Sequence, residues 1–118
     1  MYQIHFYQDR AGNQPVKDYI KELECGNSKD NRIKLNKIRD YMRILELRGT
    51  HAEEPFVKHL EDEIWELRPL RDRILFAAWN GDGFILLSYF VKKTQKTPKR
   101  EIDKAKRLYA DFVERSGE

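Results

Sequence analysis

The spacing of apolar residues changes once along this chain, and the change limits the folds that it can adopt. Between Pro15 and Arg48 the apolar residues recur every three or four positions, as on one face of a helix. Between Phe56 and Lys93 they form short alternating runs separated by turn residues, which is the pattern of β-strands. A chain with helices followed by a block of strands is typical of an α+β protein.

Two helices are predicted before the strands. Pro15 can occupy the first turn of a helix, and apolar residues then follow at i, i+3, i+4 and i+7 until Gly26. Ser28 or Asp30 can cap a second helix, which ends at about Arg48. We expect the two helices to form a hairpin.

A strand and a helix complete the element order at the two ends of the chain. The alternating residues of Tyr2–Tyr7 predict a first strand, and Thr97 with Pro98 predicts the start of a last helix that runs to about Arg115. The order is β, α, α, β, β, β, β, α. We expect one α+β domain over residues 1–118, in which an antiparallel twisted sheet carries an N-terminal helical hairpin and a C-terminal helix on one face.

The composition excludes several classes of protein. Hydrophobic residues make up 40% of the chain and aromatic residues 12%, which excludes disordered and collagen-like chains. The sequence contains no membrane-spanning apolar run and no signal sequence, so we expect a cytoplasmic protein. Cys25 has no partner for an internal disulfide, and His5, His51 and His59 lack metal-ligand spacing. No metal or other cofactor is expected.

The positive charge is concentrated in one segment. Between Lys92 and Arg107, eight basic residues stand against two acidic ones, a balance of +6 in a chain of net charge +3. Such a segment suits a nucleic-acid phosphate backbone, although a solvated helix face is a simpler alternative.

Strand alternation divides the predicted meander into two faces. We expect the helices to cover the first face, which is nearly all apolar: Trp65, Leu67, Ile74, Phe76, Ala78, Ile85, Leu87, Tyr89 and Val91. The second face is mixed, with its charges at one end: Ile64, Glu66, Arg68, Arg73, Leu75, Ala77, Ser88, Phe90 and Lys92.

The predicted turns place two arginines side by side. A turn at Leu70-Arg71 sets Arg68 opposite Arg73, an arrangement that costs stability unless an anion or a carboxylate lies between them. The pair therefore indicates a phosphate site, unless Glu66, which is diagonal to Arg73, neutralises it structurally.

A second turn, at Gly81-Asp82, extends the charged end of this face. It pairs Asn80 with Gly83, which sets Leu75 opposite Ser88 and Arg73 opposite Phe90, with Lys92 diagonal to Arg73.

Three segments of the meander resemble a known toxin family. They are Trp65-Glu66-Leu67-Arg68, then Arg73-Ile74-Leu75, and then Phe90-Val91-Lys92-Lys93-Thr94-Gln95-Lys96-Thr97-Pro98. The chain is similar in these segments to the phage-related HigB branch of the RelE/ParE toxin superfamily.

The resemblance implies a function as well as a RelE-like fold. It implies the toxin of a type II toxin-antitoxin pair, an endoribonuclease that cuts mRNA in the A site of the 30S ribosomal subunit. The implied partner is a HigA-type helix-turn-helix antitoxin, in a heterotetrameric complex. The family's arginines and terminal basic pair correspond to Arg68, Arg73, Lys92 and Lys93.

The general base does not follow from the resemblance. The strand ends lack the histidine, and the last helix lacks the early tyrosine, that some relatives carry. Glu66 is the only carboxylate on the charged face and is therefore a candidate base, or alternatively a residue that orients the arginines. Phe90 is a candidate for stacking on a base, or for core packing, and Lys58, Lys96 and Lys99 for contacts with RNA.

Two other functions are compatible with these residues. A ParE-like protein of the same fold would poison DNA gyrase without cutting RNA. A non-catalytic RNA-binding module would use only the basic segment.

Overall fold

The computed structural model describes residues 1–116. Its elements, in chain order, are β1 Gln3–Phe6, α1 Pro15–Cys25, α2 Lys29–Arg48, β2 Val57–Glu61, β3 Ile64–Leu67, β4 Asp72–Trp79, β5 Gly83–Val91 and α3 Lys99–Ser116, with a short 3₁₀ helix, Gly49–Ala52, after α2. The α+β class and the predicted order of elements are confirmed. None of the helices in the described residues is long and apolar enough to cross a membrane.

The five strands form one mixed sheet in the order β1-β5-β4-β3-β2. Strands β2 to β5 form the predicted antiparallel meander, whereas β1 pairs with β5 in parallel. The sheet is mixed because the hairpin of α1 and α2 carries the chain from β1 to the opposite edge, so that the meander returns to β1 with its last strand.

The helices lie on both faces of the sheet, not on the single face that we expected. The hairpin of α1 and α2 buries Val16, Ile38 and Leu45 against one face. Helix α3 buries Ala105 against the other, beside strand residues such as Leu75. This arrangement follows from the strands themselves, because both of their faces carry apolar residues that must leave water.

A β-bulge divides strand β5 into two parts with different registers. Trp79, rather than Asn80, pairs with Gly83, so that three residues connect β4 to β5, and the register shifts between Leu75 and Phe76. The faces predicted for Ile85 and Leu87 are therefore wrong, since both belong to the cluster under α3, while Phe84 and Leu86 pack under the hairpin. The bulge adds one residue to β5 between Leu86 and Ser88. From Ser88 onward the residues of β5 therefore lie on the faces that we predicted.

The predicted pairs at the other end of this hairpin are confirmed. Leu75 lies opposite Ser88, and Arg73 lies opposite Phe90. The end of the β4–β5 pair that carries the charged residues thus has the register expected from the sequence. Arg73 and Phe90 lie on the face of the sheet that α3 covers.

Candidate active site

Arg68 and Arg73 are brought together where β3 ends and β4 begins. Leu67 pairs with Ile74, so the next residue in each direction, Arg68 and Arg73, continues the same register. Burial lowers the pKa of Arg73, and the neighbouring positive charge of Arg68 lowers it further. The carboxylates of Glu66 and Asp72 raise the pKa of Arg73, so the protein itself offsets part of the predicted repulsion between the two guanidinium groups.

Arg73 is held by the turn that precedes it. Its side chain is buried, and Nη1 donates hydrogen bonds of 2.8 Å to the carbonyl oxygens of Leu70 and Asp72. These contacts fix the guanidinium group relative to the backbone and also use part of its donor capacity. Arg73 therefore contributes both to the shape of this turn and to the charge of the site.

Arg68 is less constrained than Arg73. Its Nη1 donates a hydrogen bond of 3.3 Å to Oε1 of Glu54, a largely exposed residue. Its Nε lies 3.5 Å from Oε1 of Glu66 and is buried without a hydrogen-bond partner. The Nε atom is enclosed by protein, so a ligand can reach Arg68 only at the exposed part of its side chain, which is 22% exposed and lines an open cleft.

Glu66 connects the arginine pair to the segment between β5 and α3. The residue is only 2% exposed, and its Oε2 accepts a hydrogen bond of 2.7 Å from the hydroxyl of Thr97. Its other carboxylate oxygen faces Arg68. The carboxylate is thus held between two partners, an arrangement that suits the orienting role better than the role of a general base.

A cleft of about 390 Å³ opens beside Glu66 and Arg68, between β2, β3 and the segment that precedes α3. Three lysine or arginine side chains and two glutamates contribute to its lining, which consists of Lys58, His59, Leu60, Glu61, Glu66, Arg68, Gln95, Lys96, Thr97 and Ile102. Such a lining can accept a polyanion, since cations and hydrogen-bond donors converge on one open space.

A second cleft, of about 430 Å³, lies on the other side of the segment that joins β5 to α3. Phe90, Lys93 and Arg100 are among its lining residues. Phe90 is half-buried and also packs against the core under α3, so the structure combines the two roles considered for it. Lys92 is half-buried next to this cleft, and its N–H donates to the carbonyl of Arg71 at 2.7 Å.

The lysines expected to contact RNA differ in their surroundings. Lys58 and Lys96 are exposed and line the first cleft. The Nζ of Lys99 lies 2.8 Å from Oε1 of Glu61 and 3.2 Å from Oδ1 of Asp103. Lys99 would have to give up these ion pairs in order to bind a phosphate.

Asp72 is a structural residue of the site that the sequence analysis did not identify. It is buried on the hairpin face, where it accepts a hydrogen bond of 2.8 Å from the hydroxyl of Tyr19 and lies 3.6 Å from Nζ of Lys34. Asp72 anchors the start of β4 to both helices of the hairpin, while the next residue, Arg73, points to the opposite face. The available signal was an acidic residue at the start of a strand that is apolar from Ile74 onward.

Six other lining residues of the first cleft were not predicted as site residues, among them His59, Gln95 and Thr97. His59 Nε2 lies 2.8 Å from the carbonyl oxygen of Asp62, and its ring contacts Trp65 edge-on. Gln95 and Thr97 belong to the segment quoted for the family resemblance. Their positions next to Glu66 depend on how that segment crosses the sheet, which no local pattern indicates.

Residues 15–110 match the family described as phage derived protein Gp49-like (DUF891). The chain belongs to this family. The Gp49-like family is a RelE/toxin-like family, in agreement with the coarser part of the resemblance stated above. No curated protein matches the chain.

The Gp49-like match covers the whole candidate site. Every residue lining the two clefts lies within residues 15–110, as do both arginines. A toxin-like family implies an antitoxin partner in general terms. Within residues 1–116, no group of three or more His, Cys, Asp or Glu residues is placed to hold a metal ion.

Proposed function

We propose that this Gp49-like protein is the toxin of a HigBA-type toxin-antitoxin pair and a ribosome-dependent mRNA endoribonuclease. The observation that carries the proposal is the juxtaposition of Arg68 and Arg73 at the ends of β3 and β4, with Arg68 lining the first cleft. Two adjacent guanidinium groups beside an open cleft are suited to a bound phosphate, which would offset the part of their repulsion that Glu66 leaves.

The proposed reaction needs no redox step. The 2′-hydroxyl oxygen of a ribose attacks the adjacent phosphorus and loses its proton, and the bond to the 5′-oxygen of the next nucleotide breaks as that oxygen gains a proton. The products are a 2′,3′-cyclic phosphate and a 5′-hydroxyl. Negative charge accumulates on the phosphoryl oxygens in the transition state, so fixed cationic donors lower the barrier.

The arginines have different roles in this proposal. Arg68 binds a phosphoryl oxygen directly, because its side chain is partly exposed and lines the cleft. Arg73 adds positive charge from a fixed position, since its Nη1 is already bonded to Leu70 and Asp72. Glu66 orients Arg68 and is itself held by Thr97.

The lysines supply charge and protons. Lys92 and Lys93 follow the last residue of β5; the ammonium group of Lys92 can protonate the leaving oxygen, whereas Lys93 lines the second cleft and supplies positive charge there. Lys58 and Lys96 line the first cleft and bind the RNA backbone on either side of the reacting phosphate. Lys99 can bind the RNA backbone only when its ion pairs with Glu61 and Asp103 are broken.

The proposed partners follow from the same assignment. The substrate is mRNA held in the A site of the 30S subunit. The ribosome fixes the strand and aligns the 2′-hydroxyl with the adjacent phosphate, which an open cleft alone does not do. A HigA-type helix-turn-helix antitoxin neutralises the toxin in a heterotetrameric complex.

Induced expression without antitoxin tests this function in cells. Incorporation of labelled methionine should stop before incorporation of labelled thymidine, and Arg68→Ala should restore growth. Arg32→Ala is a matched control, because Arg32 is an exposed arginine of α2. Gyrase-dependent DNA breaks with continuing translation would contradict the proposal in favour of a ParE-like activity.

A further inference from the structure

Helix α3 carries two groups of charged residues that differ in their partners. Lys99, Asp103 and Lys106 lie on one side, where the two lysines are bound to Glu61 and Lys106 also pairs with Asp62. Arg100, Lys104 and Arg107 follow at i, i+4 and i+7 and therefore share a different side. We call these last three residues the α3 basic stripe.

The α3 basic stripe has almost no internal neutralisation. Arg100 is 80% exposed at its side chain, and the closest carboxylate, that of Glu101, lies 3.9 Å from its Nε. Lys104 and Arg107 are exposed, and within residues 1–116 neither takes part in a salt bridge. The unpaired positive charge of α3 is therefore concentrated on this side of the helix.

The stripe begins at the second cleft, which also contains an aromatic ring. Arg100 lines that cleft together with Phe90 and Lys93, and Glu101 is the one carboxylate among its lining residues. A half-buried ring flanked by two cations can stack on a nucleobase while the cations bind the phosphates next to it. The cleft is separated from the first one only by the segment that joins β5 to α3.

We propose that the second cleft and the α3 basic stripe form a binding track for single-stranded RNA, distinct from the arginine pair. Phe90 stacks on one base, Lys93 and Arg100 bind the adjoining phosphates, and Lys104 and Arg107 bind the backbone further along α3. RNA is favoured over an acidic protein segment because the Phe90 ring beside the cations of the cleft offers a stacking surface for a base. The exposed Val91 of the same cleft would be the contact for a protein, and the binding test separates the two ligands.

This inference rests on the proposed function in taking RNA as the ligand, but binding can be measured without cleavage. The probe is a short fluorescein-labelled RNA that carries 2′-O-methyl groups and so cannot be cut by 2′-hydroxyl attack. Fluorescence anisotropy at several salt concentrations gives the affinity and its salt dependence.

The decisive comparison uses two variants that lose the same charge. Arg100→Gln/Lys104→Gln removes two cations from the stripe, and Lys21→Gln/Lys37→Gln removes two exposed lysines from the hairpin on the other face of the sheet. Each phosphate contact with a single strand contributes about 0.7 to the slope of log K against log salt. The stripe variant should therefore show a slope shallower by about 1.4, and the hairpin variant an unchanged slope.

A third variant tests the stacking. Phe90→Leu keeps an apolar residue against the core, and we expect it to weaken binding about tenfold with little change in the salt slope. Circular dichroism checks that each variant is folded.

Two results would overturn the inference. One is wild-type RNA binding by the stripe variant, or equal losses in the stripe and hairpin variants. The other is tight, stripe-dependent binding of poly-L-glutamate without binding of the RNA, which would assign the stripe to an acidic protein. Loss of cleavage with normal binding of the methylated RNA would instead contradict only the proposed nuclease.

Discussion

The hydroxyl of Thr97 donates a hydrogen bond of 2.7 Å to Oε2 of the buried Glu66. This contact links the segment before α3 to strand β3. It also fixes the carboxylate that faces Arg68. The position of the candidate phosphate-binding arginine therefore depends on a residue 29 positions further along the chain.

Thr97→Val is expected to destabilise the protein, because it leaves one oxygen of a buried carboxylate without its donor. The expected loss in the free energy of unfolding is about 1–3 kcal/mol. Urea denaturation measures this loss, and Thr97→Ser should recover most of it because it retains the hydroxyl. A Thr97→Val protein as stable as the wild type would show that the contact has no energetic role.

The contact between Tyr19 and Asp72 is expected to stabilise the start of β4. Tyr19→Phe removes a hydrogen bond to a buried carboxylate and should lower the free energy of unfolding by about 2 kcal/mol. Burial and the hydrogen bond with Asp72 raise the pKa of Tyr19, so this tyrosine should be among the last to ionise in an alkaline absorbance titration. Equal stability of wild type and Tyr19→Phe would contradict the anchoring role.

Arg73→Ala should impair both folding and activity, in contrast to Arg68→Ala. Loss of the Arg73 side chain removes the donors to the carbonyl oxygens of Leu70 and Asp72, with an expected cost of about 1–3 kcal/mol. Thermal denaturation of the two variants side by side tests this difference. A larger loss of stability in Arg68→Ala would reverse the assignment of their roles.

Stability should fall in acid partly because of Glu61. Hydrogen bonds from Lys106 and Lys99 lower the pKa of Glu61 from 4.5 to about 2. Since the folded-state pKa is depressed, the stabilisation is present above about pH 4.5 and is lost as the pH falls toward 2. The difference in urea midpoint between wild type and Glu61→Gln should therefore be smaller at about pH 3 than at neutral pH. A difference independent of pH would contradict the ion pairs.

The charged end of the sheet could be predicted from the sequence, although the length predicted for the turn between β4 and β5 was wrong. The turn after Trp79 has three residues rather than two, and the bulge in β5 compensates for this change before Ser88 is reached. Arg73 therefore lies opposite Phe90 as predicted, while Ile85 and Leu87 lie on the unexpected face. Alternation alone does not locate a bulge, because both faces of this strand are apolar.

The tertiary partners of the site residues could not be predicted in the same way. The contact of Glu66 with Thr97 and that of Asp72 with Tyr19 join residues 31 and 53 positions apart. Both depend on which face each helix covers, and α3 covers the face opposite to the hairpin. The arginine pair could be found because it needs only one short turn.

The most direct test of the account is primer extension on an mRNA in a reconstituted translation system. Wild-type protein, Arg68→Ala and the control Arg32→Ala are compared at equal concentrations. We expect cleavage at A-site codons by the wild type and the control, and a rate at least about 10²-fold lower for Arg68→Ala. Absence of cleavage by the wild type while translation continues, or equal cleavage by Arg68→Ala, would contradict the proposed nuclease.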